Sequence, residues 1–146
     1  MCDYNTLLAL YQHADSQNID VYYYAMRQVK SMALPDGTIV MDTDKIETGT
    51  EETVHLAHEL GHIETGSFYS IHSEFDLRAK HELRADRRAI KRLIPCDRLQ
   101  EVVNDGICDL WELAEHFSVT EDFHAKSCRI LQNDRRSCIN KTVVCN

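Results

Sequence analysis

The chain has 146 residues, a length that fits one domain with a core large enough to stand without staples. Its formal net charge of -8 and pI near 5.4 give an acidic surface that repels nucleic acid and anionic membrane, so neither direct nucleic-acid binding nor membrane association is expected. The start, Met1-Cys2-Asp3-Tyr4-Asn5, has no basic stretch before an apolar core, and no later run of about 18 apolar residues could span a bilayer, which predicts a cytoplasmic protein. Cys2, Cys96, Cys108, Cys128, Cys138 and Cys145 show no C-x-x-C spacing, and in a reducing compartment they are expected as free thiols rather than disulfides or a metal site.

In chain order, residues 4–16 place Leu7, Leu8, Leu10 and Tyr11 on one broad stripe and predict a helix. From Ile19 to Met32 the β-branched and aromatic residues predict one or two strands. Pro35-Asp36-Gly37 is a turn signal, and Thr38 to Asp42 reads as a strand closing a hairpin. That strand is a candidate edge to which an extended substrate adds by backbone hydrogen bonds.

Thr48-Gly49-Thr50-Glu51-Glu52 supplies a helix cap and acids for its positive end, and the helix runs to Thr65 with Gly66 as its stop. A loop follows from Ser67 to Phe75, then a long helix from Asp76 to Ile94 ended by Pro95. Further helices are expected at 96–104, 109–117 and 120–132, with breaks at Asp105-Gly106 and Ser118. The polar last dozen residues are expected to fray.

His58-Glu59-Leu60-Gly61-His62 is the H-E-x-x-H pattern. On a helix it sets two imidazoles one turn apart on one face, as zinc binding requires, with a glutamate beside them to take a proton from water. A catalytic zinc needs a third protein ligand. On the second long helix Glu82, Asp86, Ala89 and Leu93 recur at spacings of four, three and four, so two carboxylates lie on or beside the inward stripe, where acids need partners. The residues between, 63 to 81, allow a helix end, a loop and an antiparallel return that brings Glu82 to His58 and His62. Asp86, one turn on, is placed to accept the other ring N–H of a ligating histidine, for which His58 is the expected partner.

H-E-x-x-H followed by E-x-x-x-D resembles the gluzincin peptidases. More narrowly, His55-Leu56-Ala57-His58-Glu59-Leu60-Gly61-His62, Thr65-Gly66-Ser67-Phe68-Tyr69, His81-Glu82-Leu83-Arg84-Ala85-Asp86 and Leu93-Ile94-Pro95 resemble the ImmA/IrrE family of metallopeptidases. Trp111-Glu112-Leu113-Ala114-Glu115 and Val119-Thr120-Glu121 fit its phage and mobile-element members. The resemblance covers about residues 30 to 130. It implies Zn2+ on His58, His62 and Glu82, Glu59 as general base, Asp86 as a supporting carboxylate, and a helix-turn-helix repressor as the protein substrate. The chain departs from the common pattern at Arg88, where many relatives carry an aromatic.

Tyr69, His72 and His81 are open alternatives for stabilising the oxyanion of amide hydrolysis. His55 is expected to be structural, because a fourth protein ligand would close the position water needs. The basic run from Arg78 to Arg92 reads as a solvated surface, and Leu113 to Glu121, though like the turn of a helix-turn-helix, reads as helical packing.

The expectation is an α+β fold in one domain over 1–146. Residues 1–50 form a helix and a small antiparallel sheet packed on the active helix, 51–95 the metal-binding helices, 96–134 a helical C-terminal part and 135–146 a tail. The expected function is zinc-dependent endopeptidase. The competing readings are a DNA- or repressor-binding regulator with a structural zinc, for which Glu59 is dispensable, and a non-catalytic antitoxin-like partner.

Overall fold

The computed structural model describes residues 4–134. Its elements are α1 (Tyr4–Ser16), β1 (Asp20–Tyr23), β2 (Ser31–Ala33), β3 (Thr38–Met41), α2 (Gly49–Thr65), α3 (Phe75–Leu93), α4 (Cys96–Asn104), α5 (Leu110–His116) and α6 (Glu121–Asn133). The fold is α+β, as the residue patterns predict. The expected fraying tail lies outside the described residues.

Local chemistry sets most of the boundaries. Thr48 caps α2 by accepting from the Glu51 N–H at 3.1 Å, and Gly66, at φ 62°, closes it in the left-handed conformation that glycine adopts without strain. In the β2–β3 hairpin, Gly37 sits at φ 90° and Asp36 Oδ1 accepts from Thr38 N–H at 3.0 Å. Thr120 caps α6 through the Phe123 N–H. On α1, Leu10 and Ala14 are buried and Leu7 and Tyr11 pack at the core's edge, but Leu8 faces water.

The sheet differs from expectation in two ways. It is mixed rather than antiparallel, with order β1-β3-β2, β1 parallel to β3 and β2 antiparallel to it. The link 24–30 carries the chain past β3's position, so β2 forms on the far side, and β3 then fills the gap. Buried Asp42 holds that link by accepting from Met26 N–H at 2.8 Å, while its other oxygen accepts from Asp44 N–H at 3.1 Å in the turn after β3. As a result β3 is central and paired on both sides, and it is not the edge a substrate can extend. β2 is an edge, and it lies against α2.

The core runs from Leu10 and Ala14 through Ile39 and Met41, Leu56 and Leu60, to Ile90, Leu93, Leu113 and Phe123. The turn between α5 and α6 contributes Phe117 and Val119 to it, consistent with helical packing. Cys96 and Cys128 each take part in a disulfide, correcting the expectation of free thiols, whereas Cys108 is free and exposed. Cysteine chemistry therefore gives no argument for a reducing compartment. No helix among the described residues is long and apolar enough to cross a membrane.

Candidate metal centre

α2 and α3 are the most closely associated pair of elements, and Gly61, inside the H-E-x-x-H stretch, is why they can be. A Cβ at Gly61 would stand 2.5 Å from the Ala85 carbonyl oxygen, closer than real Cβ contacts come. The missing side chain lets the α3 backbone approach α2 at Ala85, between Glu82 and Asp86 in sequence. Both acids are thereby carried to the histidines.

His58, His62 and Glu82 converge, with ligand atoms all within 4.8 Å of one another. His58 Nε2 lies 3.1 Å from His62 Nε2 and 3.1 Å from Glu82 Oε2, and His62 Nε2 lies 3.3 Å from Glu82 Oε1. Donors about 2.0 Å from a tetrahedral ion are roughly 3.3 Å apart, so the spacing and the donor types fit a catalytic zinc-like ion. The rear of each ring is also engaged. His58 Nδ1–H donates to Asp86 Oδ1 at 3.0 Å and His62 Nδ1–H to the Ser67 carbonyl at 2.5 Å, which leaves both Nε2 atoms for a ligand role.

Charge follows the geometry. Burial lowers the His58 pKa, but hydrogen bonds to Asp86 and Glu82 outweigh it, and the metal-free ring is pushed up to about 9. His62 shifts up for parallel reasons, burial again being outweighed by Glu82 and the Ser67 carbonyl. Glu82 is held well below the carboxylate range by His58 and His62. Asp86 is 4 % exposed. Burial opposes its ionisation, but His58 and Lys126, whose Nζ is 2.6 Å from Oδ2, hold it below its ordinary value.

Glu59 is buried at the floor of a cleft of about 610 Å³ that also exposes His58, His62 and Glu82. Ser31 Oγ, on β2, donates to Glu59 Oε1 at 2.6 Å and lies 2.9 Å from His55 Nδ1. His55 therefore contacts Ser31 and is not in the His58–His62–Glu82 cluster. The cleft follows β2, whose pairing with β3 fixes its free edge. Leu34 N–H bonds Thr38 O, and Lys30 O accepts from Asp42 N–H. By the antiparallel alternation, Ser31 and Ala33 turn their N–H and C=O groups away from β3.

Of the three oxyanion candidates, only Tyr69 lines the cleft. Its hydroxyl donates to Glu82 Oε1 at 2.6 Å, and that bond, with burial, pushes its pKa up to about 12. His81 stacks on Tyr69 with ring centroids 6.3 Å apart, and its buried Nδ1 has no hydrogen-bond partner. His72 is exposed and outside the cleft. Arg88 is engaged outside the His58–His62–Glu82 cluster: its Nε and Arg92 Nη2 reach Glu64 at 2.5 and 2.6 Å, and His13 Nε2 lies 2.6 Å from the same carboxylate. Ser31 and Lys126 escaped the sequence reading, since a serine in a short strand and a lysine on a distant helix carry no spacing signal.

No curated protein matches the chain at a significant level. A sequence model of the IrrE N-terminal-like domain, Peptidase_M78, matches residues 14–129, which include every residue of the cluster and the cleft. A histidine pair, a returning glutamate and a buried second glutamate in one cleft are what a metallopeptidase needs, and the chain belongs to this metallopeptidase family.

Proposed function

We propose that the protein is a zinc-dependent endopeptidase of the cytoplasm that cleaves a helix-turn-helix repressor, acting as a phage or mobile-element anti-repressor. The observation that carries the peptidase reading is the position of Glu59. It lies beside a three-donor cluster on α2 and α3 and at the floor of a cleft bounded by a strand with a free edge. The repressor as target rests on the family resemblance.

His58, His62 and Glu82 would hold the ion, which when bound supplies a Lewis acid for the scissile carbonyl and a water activated near neutral pH. Glu59 would take a proton from the attacking water and pass it to the leaving nitrogen. Ser31 orients the Glu59 carboxylate toward this task. Asp86 and the Ser67 carbonyl fix the two imidazoles, and Lys126 neutralises Asp86. The Ser31 and Ala33 backbone groups align an extended peptide along β2. Tyr69 is the side chain in reach of the developing oxyanion.

A structural zinc is ordinarily closed by four protein ligands, whereas three ligands opening on a cleft favour catalysis over the regulator reading. The test compares new peptide termini in source-cell lysate after expression of the native chain or Glu59→Gln. Termini made only by the native chain, with zinc retained in both, support the reading and identify the substrate. Identical termini from both refute peptide hydrolysis.

A further inference from the structure

The cleft contains more than the ligands and Glu59. Val29, Met32 and Leu34, flanking or within β2, line it together with Phe68 and Ile71 from the loop between α2 and α3. Three of these large apolar side chains are strongly exposed: Val29 at 44 %, Met32 at 42 % and Ile71 at 84 %. Single exposed apolar residues need no explanation, but a set that borders one concave site marks a binding surface.

The charges that line the same cleft are already engaged. Lys30 is paired with Glu51. Glu59 accepts from Ser31, and Glu82 faces His58, His62 and Tyr69. None is left to select a charged substrate side chain. The polar recognition that remains comes from the Ser31 and Ala33 backbone, which is indifferent to sequence, so side-chain selection falls to the apolar walls.

We propose that the cleft selects an extended segment bearing large apolar side chains on the residues flanking the cut bond, with Met32 and Ile71 as specificity-determining residues. Met32 follows Ser31, and in a strand successive side chains point to opposite faces. Ser31 turns toward Glu59, so Met32 belongs to the outer rim, where it meets alternate side chains of the added strand. Ile71 lines the same cleft from the loop between α2 and α3. This rests on the peptidase reading above.

The test is digestion of a proteome-derived peptide library by the zinc-loaded native protein, Glu59→Gln, Ile71→Glu and Met32→Glu. The expected result is cleavage by the native protein with Leu, Ile, Met, Phe or Val favoured over charged residues by about tenfold or more beside the cut bond. Ile71→Glu shifts one flanking position toward Lys and Arg, and its high exposure leaves the fold intact. A second readout avoids turnover. A fluorescent peptide of the favoured sequence binds Glu59→Gln about tenfold more tightly than it binds the Glu59→Gln/Ile71→Glu double variant. Cleavage without apolar preference, or an unchanged profile in both wall variants, overturns this proposal alone. No cleavage beyond the Glu59→Gln background overturns the peptidase reading and this proposal with it.

Discussion

Replacing Gly61 by alanine tests whether the close approach of α2 and α3 builds the metal site. In a helix interior the change is intrinsically favourable by about 1 kcal/mol. Against that, the new Cβ falls 2.5 Å from the Ala85 oxygen and 3.1 Å from its Cα and carbonyl carbon, all backbone atoms that cannot rotate away. Ordinary contact begins at 3.4 Å, so the helices have to separate by about 0.9 Å, and overpacking of this kind costs about 1–3 kcal/mol. Net stability therefore changes little, falling by roughly 0–2 kcal/mol, or a few degrees in Tm. The metal site is far less tolerant. Ligand distances hold to within about 0.2 Å, and the retreating segment carries both Glu82 and Asp86. Zinc affinity, measured by chelator competition, is expected to fall by more than about tenfold, with circular dichroism still native. Native zinc affinity together with an unchanged or raised Tm would refute the reasoning.

Asp86→Asn removes the acceptor that orients His58 and is expected to weaken zinc binding by about 10–100-fold, with Lys126→Met giving a smaller loss in the same chelator assay. Ser31→Ala is expected to keep zinc and KM while kcat drops by up to about a hundredfold, and Ser31→Thr to recover much of it. Equal loss of KM and zinc in Ser31→Ala would mean a structural role instead. Glu64→Ala strands Arg88 and Arg92 and is expected to cost about 1–3 kcal/mol in denaturant unfolding with zinc affinity unchanged. The metal-free His58 pKa of about 9 exceeds the unfolded value of about 6.5. Its stabilisation is complete below 6.5 and lost as pH rises through 9. The Tm of the zinc-free protein therefore falls across that window, while zinc affinity, which requires loss of that proton, rises. Affinity flat between pH 6.5 and 9 would contradict the assignment.

The parts of this site that were legible in sequence are those written in local or helical period. Thr48 and Gly66 bracket α2 because a cap and a left-handed stop each involve only a few neighbouring residues. Asp86, Ala89 and Leu93 are buried together because helical period puts them on one face, and an acid on that face implied a partner. Sheet order has no such period. One or two strands were expected between Ile19 and Met32, but the place of β3 between β1 and β2 depends on how the link 24–30 crosses the sheet, and Asp42 holds that link through the Met26 N–H, a backbone donor that any sequence offers. The expectation of β3 as a free edge fails for the same reason. That dependence also hid Ser31, whose contact with Glu59 exists only because β2, rather than β3, borders the cleft. Lys126 arrives from α6 through tertiary packing, which helical period does not encode, and the bonded state of Cys96 and Cys128 is not written in thiol spacing. The proposed metal ligands follow from helix period, whereas Ser31, which holds Glu59, and the proposed substrate edge follow from strand order. For that reason a change in the link 24–30 is expected to disturb catalysis before it disturbs metal binding.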